Sequence, residues 1–142
     1  DEQSASVVAG MEVPHEQISR YGSLDFEDPS ADPSRIRTLV EKPPVDEAPS
    51  DIAIVGRYVL DGSVMDCLAK VEPGAIGEIQ LTDALDMLAQ QGQLFGTRYR
   101  GRRWDVGNLA GFLRANFDLA GERPELAWTI AGTPGAPPRA GS

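Results

Sequence analysis

The chain has 142 residues, of which 41% are hydrophobic and 25% are charged, and its net charge is −9. This composition is typical of one globular domain and excludes an intrinsically disordered chain. No apolar run is as long as a membrane span, and the acidic balance is unfavourable for nucleic acid, so we expect neither partner. The acidic start, Asp1-Glu2-Gln3, leads us to expect no signal peptide. The single cysteine, Cys67, excludes an internal disulfide and a zinc cluster.

Apolar runs in the first part of the chain predict four strands. They lie at Ser6–Val13, Arg20–Phe26, Ile36–Glu41 and Ile52–Leu60. The last run is almost continuously apolar, so we expect a central strand that is covered on both faces. Residues 28–34 and 43–50 are rich in proline and polar side chains and predict the intervening loops.

Helical patterns dominate the second part. Asp61 or Ser63 can cap a short helix, and Thr82 is expected to cap the next one through its hydroxyl group. A strand is predicted at Gln93–Arg100 and a last helix from about Asn108 to Gly121. Residues 132–142 are rich in proline, glycine and alanine and predict a disordered tail. These elements together favour an α/β or α+β fold with a partly buried sheet.

The tripeptide Glu41-Lys42-Pro43 ends a predicted strand and places a carboxylate beside an ammonium group. Adjacent strand residues point to opposite faces, so one side chain can bind sugar hydroxyls and the other a phosphate. The proline can instead bend the chain and bring the two side chains together. The alternative interpretation is a solvated strand end without a ligand.

Other motifs each have a functional and a structural interpretation. Gly22 follows Tyr21 in a strand, where glycine marks a bulge, a close approach of a ligand, or simple packing. Asp105 precedes the last helix and is either a hard oxygen ligand suited to Mg²⁺ or a turn residue. The segment 77–83 opens a helix and is either an anion site or a cap. His15 is the single histidine and we expect it at the surface, so no nucleophilic triad is predicted.

In order along the chain, these motifs resemble the C-terminal half of the bacterial UTP–glucose-1-phosphate uridylyltransferases, which belong to the sugar nucleotidyltransferases. The matching segments are Tyr21-Gly22, Val40-Glu41-Lys42-Pro43, 53–60, 77–85 and Trp104-Asp105-Val106-Gly107-Asn108. The resemblance implies the sugar-binding part of a Rossmann-like α/β fold with a mixed sheet and flanking helices. It assigns residues 1–122 to the sugar-phosphate-binding half and 123–142 to a C-terminal segment.

The resemblance also implies a reaction and a set of site residues. A sugar 1-phosphate attacks the α-phosphorus of a nucleoside triphosphate, and Mg²⁺-bound pyrophosphate leaves. Such catalysis consists of positioning and charge neutralisation. Glu41 resembles the residue that accepts hydrogen bonds from glucose hydroxyls, and Lys42 the catalytic lysine that holds the sugar phosphate. Gly22 resembles the glycine whose backbone faces the sugar, and Asp105 one of two aspartates that hold the Mg²⁺ cofactor.

One departure from the family is large. The family's glycine-rich triphosphate loop, its other metal-binding aspartate and its nucleotide-binding half have no counterpart in this sequence. We therefore expect an inactive fragment of a cytoplasmic, homo-oligomeric enzyme that uses UTP and glucose 1-phosphate. Two alternatives stay open: a thymidylyltransferase that uses dTTP, and a non-catalytic domain for sugar-phosphate binding or scaffolding.

Overall fold

The computed structural model describes residues 5–73 and 77–126 of the chain. The chain divides into two compact units, one ending at Arg100 and the other beginning at Gly101. The disordered tail predicted from about residue 132 lies outside the described residues. None of the helices in the described ranges combines the length and the apolar character that crossing a membrane requires.

Strands make up most of the first unit. They are β1 (Ser6–Glu12), β2 (Gly22–Phe26), β3 (Ser34–Glu41), β4 (Ile52–Val59) and β5 (Leu94–Arg98). The α-helices are α1 (Ser63–Leu68) and α2 (Leu81–Gln90), and 3₁₀ helices span His15–Arg20 and Val45–Glu47. In the second unit, α3 spans Leu109–Gly121.

The strands of the first unit form a mixed sheet that closes on itself. Their order is β1-β4-β2-β3-β5, and β5 also pairs with β1. The β1–β5 pair is parallel, whereas the other pairs are antiparallel. The predicted mixed sheet with helices is therefore confirmed. A Rossmann-like sheet is open and mostly parallel, and this part of the chain differs because β5 bonds to both β1 and β3.

Glycine residues make room for large side chains inside the closed sheet. A Cβ atom on Gly96 would lie 2.5 Å from Ile36 Cδ1 and 2.6 Å from Phe26 Cε1. Gly10 on β1 has side-chain neighbours that are almost as close. Glycine in a strand commonly marks such a close approach. The small residues therefore allow the interior to be filled by the aliphatic and aromatic side chains of facing strands.

Helix α2 packs against β3 and bonds to the strand's backbone. Asp86 accepts hydrogen bonds from Thr38 Oγ1 at 2.8 Å and from the Leu39 N–H at 2.9 Å. Gln90 Nε2 donates to the Arg37 carbonyl oxygen at 3.2 Å. These bonds satisfy backbone groups of β3 and hold the strand against α2. The core of this unit includes Leu24, Phe26, Ile36, Leu39, Leu85, Leu88 and Leu94.

The predictions for the second and fourth strands were wrong in part. The strand predicted from Arg20 begins at Gly22, because His15–Arg20 forms a 3₁₀ helix. Strand β4 is not covered on both faces, because residues 56–59 are exposed. The exposed half of β4, residues 56–59, lies beyond Ala53, where β2 pairs with β4. It begins at Gly56, which has a φ of 70° and lies where the β1–β4 register shifts.

The predicted cap of α2 was also wrong. The helix begins at Leu81, and Gln80 is its N-cap residue, with no side-chain hydrogen bond to the first turn. Thr82 lies within the first turn, and its hydroxyl group bonds to another element instead. By contrast, the Asn108 side chain caps α3 by accepting the Gly111 N–H at 2.9 Å, which the sequence analysis did not predict.

Candidate functional site

The Glu41 and Lys42 side chains lie together at the end of β3. Lys42 Nζ is 3.7 Å from Glu41 Oε1. The backbone of Lys42 has a φ of 44°, which is unusual for any residue other than glycine. Its N–H donates to the Tyr21 carbonyl oxygen at 3.1 Å. The left-handed turn at Lys42 therefore brings together two side chains that a regular strand would point to opposite faces.

Gly22 is the pairing partner of Glu41 in the β2–β3 ladder. A Cβ atom on Gly22 would lie 3.1 Å from Glu41 Oε2 and 2.7 Å from Ile54 Cδ1. The missing side chain thus leaves room for the Ile54 side chain and, next to it, for the Glu41 carboxylate. The structure thus brings Gly22, Glu41 and Lys42 together at the end of β3.

Thr82 contacts Glu41 and the charge of Glu41 acts on Tyr58, although the sequence analysis did not place either residue there. Thr82 Oγ1 donates to Glu41 Oε2 at 2.7 Å, and Thr82 itself is buried. Tyr58 is 39% exposed, and the burial of the rest of its side chain and, after it, the negative charge of Glu41 raise its pKa above the usual value of 10.0. A tyrosine hydroxyl is protonated at neutral pH, so that of Tyr58 can donate a hydrogen bond.

We refer to Gly22, Glu41, Lys42, Tyr58 and Thr82 as the Glu41 cluster. It combines a carboxylate acceptor, an ammonium cation 3.7 Å from it and a tyrosine hydroxyl on which the charge of the carboxylate acts. Such a set suits a ligand that carries both neutral hydroxyl groups and a negative charge. Tyr58 and Thr82 lie within the motifs 53–60 and 77–85, but their spacing along the sequence does not show that they face Glu41.

Asp105 belongs to the second unit, where it lies in the loop before α3. Its Oδ1 atom accepts the Gly107 N–H at 3.1 Å. Gly111 on α3 passes so close that a Cβ atom there would lie 1.8 Å from the Asp105 carbonyl oxygen. Trp104 Nε1 donates to Asp118 Oδ2 at 2.9 Å. The loop thus contacts α3 at Trp104 and at Asp105 itself.

The local charges of the second unit reinforce this attachment. The hydrogen bond from Trp104 and then that from Arg114 lower the pKa of Asp118 below its usual range. Asp118 therefore stays ionised and keeps its acceptor role over the whole neutral pH range.

Among residues 5–73 and 77–126, no group of three or more acidic, histidine or cysteine side chains is arranged to hold a metal ion.

Other candidate residues have structural partners. His15 Nδ1 lies 2.6 Å from Asp51 Oδ1 at the surface, and the hydrogen bond and charge of Asp51 raise the pKa of His15. Cys67 is buried.

A cavity of about 430 Å³ lies apart from the Glu41 cluster, none of whose members lines it. It is lined by Gly10, Met11, Glu12, Ser50, Asp51, Ile52, Arg98, Tyr99 and Arg100. Acidic and basic side chains are both present in this lining, so its charge does not indicate one class of ligand.

Comparison with known sequences shows which family the chain as a whole resembles. A family model described as nucleotidyl transferase matches residues 1–122. UTP–glucose-1-phosphate uridylyltransferase of Streptococcus pyogenes is 41% identical over 127 residues, which are 89% of this chain and 42% of that protein. A second such enzyme, from serotype M1, is 41% identical over 130 residues with the same coverage. The chain therefore spans less than half the length of the curated relatives it matches.

Solved structures similar to this chain have related names. A UDP-glucose pyrophosphorylase in complex with UDP-glucose has a TM-score of 0.79 and 34% identity, covering 86% of this chain and 46% of its own. The UTP-bound enzyme of Acinetobacter baumannii has a TM-score of 0.75 and 32% identity, covering 90% and 44%. A glucose-1-phosphate thymidylyltransferase, described as putative, from Bacillus anthracis has a TM-score of 0.64 and 25% identity, covering 81% and 43%.

The comparisons do not support the expected placement of the chain in the C-terminal half of these relatives. They do support the family itself, since one family model covers most of the chain and the structural relatives superpose on its mixed sheet and helices. The chain belongs to the nucleotidyl transferase family.

Proposed function

We propose that this chain forms part of a UTP–glucose-1-phosphate uridylyltransferase, with residues 1–122 as a sugar-phosphate-binding region. The observation that carries the proposal is the pairing of Glu41 with Lys42 beside Gly22. The names of the relatives supply the substrates UTP and glucose 1-phosphate. The higher identity and TM-score of the pyrophosphorylases, compared with the thymidylyltransferase, favour uridylyl transfer.

The chemistry of glucose 1-phosphate matches the Glu41 cluster. Glu41 accepts hydrogen bonds from sugar hydroxyls, and the protonated Tyr58 hydroxyl donates one. Lys42 binds the phosphate and neutralises part of its charge. An oxygen of this phosphate attacks the α-phosphorus of UTP, the bond to pyrophosphate breaks, and UDP-glucose forms. The side chains accelerate the step by aligning the attacking oxygen and reducing the repulsion between phosphates.

We also propose Asp105 as a ligand of Mg²⁺. This ion prefers hard oxygen donors and is usually held by one or two carboxylates together with substrate phosphates. Asp105 is half-buried as a residue, and its carboxylate, on a loop that contacts α3, is an oxygen donor of this kind. When bound, the ion supplies charge neutralisation at the triphosphate. A homo-oligomeric state and a cytoplasmic location of the full-length enzyme stay predictions.

Steady-state kinetics on the protein expressed at its natural full length tests the proposal. Each substrate is varied in turn, with UTP and dTTP compared. Lys42→Ala should lower kcat/KM by roughly 10- to 100-fold, since it removes a charge-assisted contact. Glu41→Gln should raise the KM for glucose 1-phosphate and leave the KM for UTP nearly unchanged.

Arg37→Ala is a matched control. Arg37 lies on β3, and its exposed guanidinium group pairs with Asp25 rather than with Glu41. It should behave as wild type. Absence of turnover with either nucleotide would refute the enzyme assignment, and a preference for dTTP would favour the thymidylyltransferase alternative. If the variants of Glu41 and Lys42 both match wild type, these residues form a solvated strand end.

A further inference from the structure

Resting on the proposed function, we infer that Thr82 is a positioning residue for the sugar site, which orients the Glu41 carboxylate. Thr82 Oγ1 donates to Glu41 Oε2 at 2.7 Å, across the contact between α2 and β3. Thr82 is 8% exposed, so water competes poorly for this bond. Thr82 orients the Glu41 carboxylate and does not itself contact the substrate.

The two oxygens of Glu41 have different surroundings. Oε2 bonds to the buried Thr82 hydroxyl, whereas Oε1 faces Lys42 Nζ at 3.7 Å. The Lys42 side chain is 65% exposed and is the group that the proposed function assigns to the sugar phosphate. When Lys42 moves to a phosphate, the bond from Thr82 is the interaction that keeps the carboxylate in place and Oε1 directed to the ligand.

The local sequence explains why this hydroxyl is available. Threonine near a helix start usually caps the helix by bonding to backbone N–H groups. Here α2 has no side-chain cap, and Thr82 bonds to Glu41 instead. Gly22 contributes by leaving space, because a Cβ atom there would lie 3.1 Å from the same Oε2 atom. Both features favour one orientation of the carboxylate.

The test compares two threonines that link the same strand and helix. Thr38 Oγ1 donates to Asp86 Oδ1 at 2.8 Å, so Thr38→Val removes an equivalent bond between β3 and α2 outside the Glu41 cluster. In the full-length protein, Thr82→Val should raise the KM for glucose 1-phosphate about tenfold and leave the KM for UTP within about twofold. Thr82→Ser keeps the hydroxyl group and should restore most of the affinity. Thr38→Val should leave both KM values unchanged.

Several results would overturn the inference. They are an unchanged KM for glucose 1-phosphate in Thr82→Val, an equal rise in Thr38→Val, or failure of Thr82→Ser to restore affinity. If the valine variant does not fold, Thr82→Ala removes the same donor without adding bulk and is compared with the same controls.

Calorimetric titration with glucose 1-phosphate alone separates this inference from the proposed function. A wild-type protein that binds the sugar phosphate without turnover still allows Thr82 to be tested through an expected tenfold rise in Kd. A wild-type protein with neither binding nor turnover refutes both the proposed function and the role of Thr82.

Discussion

Replacing Lys42 with glycine tests whether its left-handed backbone conformation is strained. At a φ of 44°, a residue with a Cβ atom costs about 1–2 kcal/mol more than glycine. Glycine in turn loses about 0.5–1 kcal/mol more conformational entropy on folding. The balance predicts that Lys42→Gly has a free energy of unfolding higher than that of Lys42→Ala by about 0.5–1 kcal/mol.

Lys42→Ala is the reference for this comparison because both substitutions remove the same ammonium group. The ion pair with Glu41 is long and the lysine side chain is exposed, so its loss costs at most about 1 kcal/mol and cancels between the variants. Urea unfolding followed by far-ultraviolet circular dichroism gives the two free energies, provided that the m values agree. An alanine variant as stable as the glycine variant would refute the strain at this position.

Gly56→Ala is the reverse experiment. Gly56 has a φ of 70°, and a Cβ atom there would meet no heavy atom within 4 Å. The substitution therefore isolates the backbone cost and should lower the free energy of unfolding by about 0.5–1 kcal/mol.

Enzyme activity adds a second comparison for position 42. Lys42→Gly and Lys42→Ala should lower kcat/KM by the same factor, because relief of backbone strain does not replace the lost charge.

Three further predictions concern packing and pH. Gly96→Ala should lower the free energy of unfolding by about 1–3 kcal/mol, because its Cβ atom would lie 2.5–2.8 Å from inward-facing side chains. Gly111→Ala should speed hydrogen exchange in the loop of Asp105, because its Cβ atom would lie 1.8 Å from that residue's carbonyl oxygen. The raised pKa of His15 means that its pairing with Asp51 stabilises the fold below pH 6.5, and this contribution is lost as pH rises through the folded-state pKa. An NMR titration should show that Asp51→Asn lowers the pKa of His15.

Gly62→Ala provides a control for the glycine substitutions at positions 96 and 111. Gly62 has an ordinary helical φ, and a Cβ atom there would meet nothing within 4 Å. The substitution should be neutral or should stabilise the protein by about 0.4–1 kcal/mol. If Gly96→Ala is equally well tolerated, the interior of the sheet is not filled as described. If the asparagine variant of Asp51 leaves the His15 titration unchanged, the two side chains do not interact in solution.

Local apolar patterns predict most of the elements but not the closure of the sheet. The runs at β1, β3 and β4 indicate strands because apolar side chains accumulate there. The pairing of Val8 with Gly96 joins strands that lie far apart in the sequence, and no local pattern specifies it. The exposed half of β4 was missed for a related reason, since an apolar run does not reveal how far the neighbouring strands extend.

The sequence alone predicts three members of the Glu41 cluster, which are Gly22, Glu41 and Lys42, but not the other two. The motif Glu41-Lys42-Pro43 indicated the site because it places charges at a strand end. Proline disfavours the right-handed helical conformation in the preceding residue but does not specify the left-handed one found at Lys42. Thr82 was interpreted as a helix cap because threonine usually has that role at such a position. Its bond to Glu41 depends on the tertiary contact between β3 and α2.

The locally unfavourable features of this region all act on the same carboxylate. Lys42 has a left-handed φ, and α2 begins at Gln80 without a side-chain cap, a loss that typically costs about 1 kcal/mol. Gly22 begins β2 with a residue that has no side chain to pack. A solvated strand end requires none of these. Each feature brings a group to Glu41, leaves space for it or releases the Thr82 hydroxyl to bind it. Departures from local preference concentrate at functional sites, and their convergence on Glu41 favours a binding role for this end of β3.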